Sequence, residues 1–529
     1  MGGRYRDRVQ NADGDTATVG LLLISGAIAA LVVSPLLWIV RRAIAVEPSE
    51  AVALTTRRTT LEILGASVAL MVTVTLFCTL IGVPLAFVTT RTDLPWKRFW
   101  TIAVALPLVI PSYIGAFAFV GTFGPRGEVD SLGGVSIPEI DGFSGAVLVI
   151  TLYTYPYVFL TTRAALLSMD TSLVDAARTL DASRVDAFRR VTLPQIKPAI
   201  AAGALLAGLY AISDFGTPAF MRLQVFTFAI YDYRTDLPAY AALLSLQLLA
   251  VVAVVLAIEA RIGHSDRSMA GSGRGSQLRL GAWKWPTMGA MALLAVVTIV
   301  VPIAIFARWV FAETGGDGSV YAFQTEWALH SVYLATLAAV VAACFAIPVG
   351  YAAARSSSVA ARLFERSTYI GFAVPGIVLG LALVFFGMNY VPWLYQTIPL
   401  LVFAYVVRFL PQAVGTTRTA TLQVDQSILE AARTLDAGPL ERFRRVTLPL
   451  ILPGIVAGAA LVFLTTMKEL PATLMLQPIG METLVTIIWE AHGTAHYRYA
   501  ALPALLLVVL SGISMLVILR QERAGSGNQ

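Results

Sequence analysis

Asp214, in "ISDFGTPAF", and Glu469, in "MKELPATLM", lie 255 residues apart in long apolar runs. Each precedes a helix breaker: Gly216 and Pro218 follow the first, Pro471 the second. A carboxylate inside a membrane-crossing run is costly and faces a partner or a cavity. It can cap a broken helix or close an interhelical ion pair. It can equally line a gate or passage for a hard cation, which prefers oxygen ligands. Lys468 adjoins Glu469 and cannot face it on a regular helix, so it could instead pair with Asp214. His492 and His496 have i, i+4 spacing, but no Glu follows the first as zinc-hydrolase chemistry requires. Cys78 and Cys344 fall in separate apolar runs and read as small packing residues. No catalytic centre and no metal site is therefore expected, and no bound cofactor. The phosphate-cradling pattern G-x-x-x-x-G-K-[ST] is absent, so ATP is not bound by that means.

A second constellation is polar and occurs twice. "DAARTLDASRVDAFRRVTLP" starts at Asp175 and "EAARTLDAGPLERFRRVTLP" at Glu430; residues 175–198 and 430–453 share 16 identities in 24 positions. Asp175 or Glu430 opens a helical turn, where a carboxylate favours the dipole. Ala176 and Ala177, or Ala431 and Ala432, give a flat surface that a partner can approach closely. Phe188 and Phe443 lie on one face of the next turn, flanked by Arg189 and Arg190 or Arg444 and Arg445. Pro194 and Pro449 are expected to end the segment. A basic amphipathic helix could rest on anionic lipid, but lipid contact does not explain the alanine pair or its repetition. Docking into a protein groove does.

These groups are carried by an apolar scaffold. The chain is 57% hydrophobic and 13% charged, far from the soluble average of roughly a quarter charged. Twelve runs reach the roughly 20 residues needed to cross a bilayer: 17–40, 61–89, 99–122, 143–168, 199–222, 238–260, 287–311, 328–354, 367–388, 395–416, 454–475 and 500–519. An all-α polytopic membrane protein of about 12 spans follows. The net charge of +6 does not signal nucleic acid, because Lys and Arg gather in alternate loops: 91–98, 178–197, 261–284, 355–366, 418–445 and 520–523. The positive-inside rule makes these loops cytoplasmic, together with both termini. One loop, 41–58, dissents with four arginines.

The repeat extends beyond the polar segment. At offset 255 Pro156 meets Pro411; upstream, at offset 264, Pro84 meets Pro348, Arg91 meets Arg355 and Pro111 meets Pro375. The halves are 1–262 and 285–529, with a Gly/Ser/Arg-rich linker at 263–284 and polar segments at 171–198 and 426–453. Six spans per half make a parallel repeat, which points to a pathway between the halves.

The two polar segments resemble the E-A-A…G…L-P coupling signature of ABC importer permeases. The resemblance implies two parallel six-helix repeats of the type I permease kind. It further implies that each segment seats in a cleft of a separate ATPase subunit, two copies in all, which uses ATP and Mg. The first copy departs with Asp175 for Glu, and both carry Asp (Asp181, Asp436) where the family has Gly. Asp tolerates the left-handed turn less readily than Gly, and Ser183, Gly438 and Pro439 could supply the bend. "SDFGTP" and "KELPATLML-P" are similar to fused ferric-iron permeases, which implies an external iron-binding protein and a plasma or inner membrane location. Thiamine, sulfate, molybdate and polyamine permeases share the signature and remain alternatives. A twelve-span secondary transporter is the rival from another class, but its Gly-Asp-Arg-rich loop is replaced here by "TRTDLPWKR".

Overall fold

The computed structural model describes residues 2–125, 127–128, 140–170, 172–179, 181, 183–263, 278–311, 323–356, 358–434 and 438–526. The first half runs through α1 (Gly2–Ile44), α2 (Arg58–Arg91), α3 (Lys97–Ala105), α4 (Ser112–Phe123), α5 (Gly142–Ser168), α6 (Ser172–Thr179), α7 (Leu193–Ser213), α8 (Gly216–Phe220), α9 (Phe226–Asp232) and α10 (Pro238–Gly263). The second begins with α11 (Lys284–Ala295), α12 (Val301–Phe311), α13 (Thr325–Arg355), α14 (Val359–Ala373) and α15 (Gly376–Tyr390). It continues through α16 (Ile398–Gln423), α17 (Gln426–Thr434), α18 (Leu448–Met467), α19 (Pro471–Leu476), α20 (Leu484–Gly493) and α21 (Ala501–Ser526). Among the described residues nine helices are long and apolar enough to span a bilayer, or eleven if each of two bent pairs is one span. The last expected span contributes a shorter apolar helix, Tyr497–Ile513.

Proline explains the bent pairs. α3 and α4 meet at 83°, and α14 and α15 at 100°. Pro111 and Pro375 stand at the two corners, and the residues before them, Ile110 and Val374, are extended with ψ of 124°. Pro has no N–H to donate and excludes the helical conformation from its predecessor. Runs 99–122 and 367–388 are thus broken helices.

Two further expectations are corrected. Runs 199–222 and 454–475 are not single helices, because α7 stops at Ser213 and α18 at Met467. Pro194 and Pro449 do not end the polar segments; the chain passes them into α7 and α18. A π turn precedes each, at Phe188–Thr192 and Phe443–Thr447, with Leu193 N–H bonded to Phe188 O and Leu448 N–H to Phe443 O. The wider turn admits prolines that lack an N–H for the regular ladder.

Two compact units result. One comprises residues 46–323 and 487–512; the other comprises 1–45, 324–486 and 513–529. In the second, α1 packs against α13, α14 and α15, so the N-terminal helix joins elements of the later repeat. Equivalent crossings build both cores. A Cβ on Gly203 would meet Val158 Cα at 2.7 Å, and one on Gly458 would meet Ala413 Cα at 2.9 Å, which shows α7 on α5 and α18 on α16 in near backbone contact. Small residues allow such an approach where lipid leaves no hydrophobic drive between helices.

Candidate functional site

Each polar segment starts from an Asp cap. Ser172 N–H donates to Asp170 Oδ1 and Ser427 N–H to Asp425 Oδ1, both at 2.9 Å. The bonds hold each carboxyl below its usual range and start α6 and α17 in the same way. On these helices Ala176, Glu430 and Ala431 are exposed, Ala177 is half-buried and Ala432 is buried. The Asp175 side chain and all of Asp436 lie outside the described residues. Asp181 has φ of +59°, the left-handed turn that Gly adopts at no steric cost. Ser183 then caps the next turn: Asp186 N–H donates to Ser183 Oγ at 3.1 Å, and Ser183 Oγ donates to Asp186 Oδ2 at 2.5 Å. In the second copy Gly438 is extended, with Pro439 at the first helical position. Asp181→Gly should therefore raise amide protection of α6 in hydrogen exchange about fivefold, since the left-handed penalty is of order 1 kcal/mol. Unchanged or faster exchange would contradict a strained turn.

Phe188 and Phe443 do not present themselves to a partner. Phe188 packs edge-on against Phe87 of α2 at 5.4 Å, and Phe443 against Tyr351 of α13 at 5.3 Å. One turn beyond each aromatic partner is an arginine. Arg91 donates to Leu166 O at 2.6 Å; Arg355 donates to Thr421 O at 3.0 Å and Val424 O at 2.9 Å. The last two turns of α2 and α13 therefore grip the segment where it leaves the preceding helix and where it enters the next one. What remains exposed is Ala176, Ala431 and Glu430 on the two helices and Arg189, Arg190, Arg444 and Arg445 beyond them. Arg445 also pairs with Glu441 at 3.0 Å. Sequence reading missed Asp170, Asp425, Phe87 and Tyr351, although all four are related by the repeat offsets.

The intramembrane acids occupy equivalent breaks. Asp214 Oδ2 accepts from Ser112 Oγ at 2.8 Å, Ser112 Oγ lies 3.0 Å from Tyr210 Oη, and Thr217 N–H points at Asp214 Oδ1 from 3.5 Å. Thr227 Oγ1 donates to Asp214 O at 2.7 Å. The residue thus ties α4, α7, α8 and α9 together. Pro218 lies buried within α8.

Glu469 makes the corresponding cap, with Ala472 N–H donating to Oε1 at 3.3 Å. Its other partner differs: Arg408 Nη1 of α16 lies 3.4 Å from Oε1. Thr473 Oγ1 bonds Glu469 O and lies 2.7 Å from Tyr405 Oη. Gly376 makes room, since a Cβ there would overlap Arg408 Nη1 and come within 2.5 Å of Glu469 Oε1. Ser112 and Tyr153 stand where this half has Gly376 and Arg408, so one break is neutral around its acid and the other is ion-paired. Lys468 caps α18, and Pro471 opens α19. An arginine within "VVRFLP" was the available signal for the pair. Both acids thus cap broken helices, and Glu469 also closes an interhelical ion pair. Among the described residues no group of three or more His, Cys, Asp or Glu converges.

Residues 78–271 and 346–523 match the family model for the binding-protein-dependent transport system inner membrane component. The chain is 32% identical over 498 residues to the Fe(3+)-transport system permease protein FbpB 2 of Haemophilus influenzae, covering 92% of this chain and 94% of that one. It is 25% identical to the probable ABC transporter permease protein y4fN of Sinorhizobium fredii, over 86% of each chain. A probable molybdenum ABC transporter permease protein of Haloferax volcanii is 36% identical over 143 residues, 27% of this chain and 52% of its own.

Proposed function

Since the chain belongs to the family of binding-protein-dependent transport system inner membrane components, we propose that it is the permease of an ATP-binding-cassette importer with ferric iron as cargo. The observation that carries the coupling role is the repeated grip: each half holds a capped, exposed helix by equivalent contacts. Residues 175–177, 181, 189 and 190 form one ATPase seat, anchored from behind by Phe188, and 430–432, 436, 444 and 445 the other, anchored by Phe443. Each seat takes one copy of a separate subunit, which supplies ATP and Mg chemistry; this chain hydrolyses nothing. An extracytoplasmic binding protein delivers the cargo. The halves 1–262 and 285–529 line the passage, and both termini face the cytoplasm with the polar segments.

Iron is favoured over molybdate because the similarity to an iron-system permease runs the length of both chains, while that to the molybdenum permease spans about a quarter of this one. Radio-iron uptake by iron-limited cells with and without the gene tests this. Loss of iron uptake with unchanged molybdate uptake is expected. Equal iron uptake in both strains would overturn the cargo assignment.

A further inference from the structure

The end of the linker is built into the first half. Just past α2, Thr92 and Leu278 form a parallel bridge. Leu278 N–H donates to Arg91 O at 2.8 Å, and Asp93 N–H donates back to Leu278 O at 3.0 Å. The Asp93 carboxylate then uses both oxygens: Oδ1 accepts from Leu280 N–H at 2.8 Å, and Oδ2 lies 2.9 Å from Lys284 Nζ. Leu280 and Lys284 hold this carboxyl below its usual range. Gly281, at φ +56°, turns the chain into α11.

We propose that residues 278–284 form a clasp, latched by Asp93, that makes Arg91 a positioning residue for the first ATPase seat. The proposal rests on the permease reading above. Arg91 joins the two structures: its carbonyl is held by Leu278, and its guanidinium holds Leu166 O at the last turn before α6. Besides the clasp, the described residues just past α2 are tied back to the helix by Thr92 Oγ1 alone, which donates to Val88 O at 2.7 Å. The second half solves the same problem locally. Arg355 reaches two carbonyls, Ser356 N–H continues the helical ladder to Ala352 O, and Ser358 Oγ caps α14 by accepting from Ala360 N–H at 3.1 Å. The linker is thus a working part of one seat and not of its counterpart, so the two seats are held by unequal means.

The test uses the full chain reconstituted in vesicles with its ATPase subunits and binding protein. Asp93→Ala removes both latch contacts, and Asp93→Asn keeps an acceptor for Leu280. Hydrogen exchange at Leu278 and Leu280 reads the clasp without involving the ATPase. In Asp93→Ala these amides should exchange roughly fivefold faster, and cargo imported per ATP hydrolysed should fall by roughly fivefold, the scale of a partly exposed ion pair and its hydrogen bond. ATPase binding should stay unchanged, and Asp93→Asn should recover part of both losses. Unchanged amide exchange would show that Asp93 latches nothing, and faster exchange with an unchanged import ratio would show a passive tether. Either result overturns the proposal. Failure of the unsubstituted chain to bind the ATPase would instead overturn the permease reading.

Discussion

Replacing Asp175 and Glu430 together by alanine is expected to cut uptake by about thirtyfold, the scale of losing an interface anchor of about 2 kcal/mol. Glu430 is exposed and, among the described residues, has no hydrogen bond or ion pair. The start of its helix is capped by Asp425 instead. Deleting the carboxylate therefore leaves the helix standing, and insertion and thermal unfolding of the isolated chain should not change. The loss should appear as weaker ATPase binding. The two single variants should each retain more uptake than the pair, because each disables one seat. Normal uptake in the double variant would remove these acids from any coupling role.

The second large effect is expected at Glu469. Its side chain is 6% exposed and that of Arg408 is 19% exposed. Removing one member of such a pair leaves an uncompensated charge, at a cost of about 3–5 kcal/mol. Glu469→Ala also deletes the acceptor for Ala472 N–H, so α19 loses its start. Denaturation in detergent should show that loss, with Glu469→Gln intermediate because its amide oxygen still accepts. Replacing both Glu469 and Arg408 by methionine should recover most of the stability, since apolar residues of similar volume often match a buried pair. A double variant as unstable as Glu469→Ala would mean that the ion pair is not what holds the break. Asp214, bonded to the Ser112 hydroxyl and with no arginine at the repeat-equivalent position, should tolerate Asn with a smaller loss.

Much of this was legible in the chain because hydropathy and repetition are direct signals. Span-length apolar runs located the long helices, and Pro111 and Pro375 aligned at one repeat offset, but runs 99–122 and 367–388 read as single spans and the bends at these prolines went unseen. The segments at 175 and 430 stood out as polar islands in an apolar chain. Asp181 was flagged by a family glycine, and its left-handed φ gives that departure a physical meaning. Neighbours were not legible. Lipid and protein interiors are equally apolar, so a run such as 17–40 does not say which helices it packs against, and α1 joins elements of the later repeat. Phe188 and Phe443 looked suited to a partner's groove, but pattern alone cannot tell a docking face from an anchoring one. The π turns escaped because prolines 194 and 449 read as stops, although a widened turn carries the helix past them. Arg408 was hidden by position: it belongs to an apolar run, and its partner lies 61 residues later in sequence.

The most direct measurement is the subunit stoichiometry of the assembled complex, by native mass spectrometry of the chain purified with its ATPase. Two ATPase copies per chain are expected, falling to one when Glu430→Ala is combined with Ala431→Trp, which removes the acid and fills the alanine face of one seat. A complex with one ATPase or none before substitution, or two copies retained after it, would contradict the assignment of the repeated segments as paired ATPase seats.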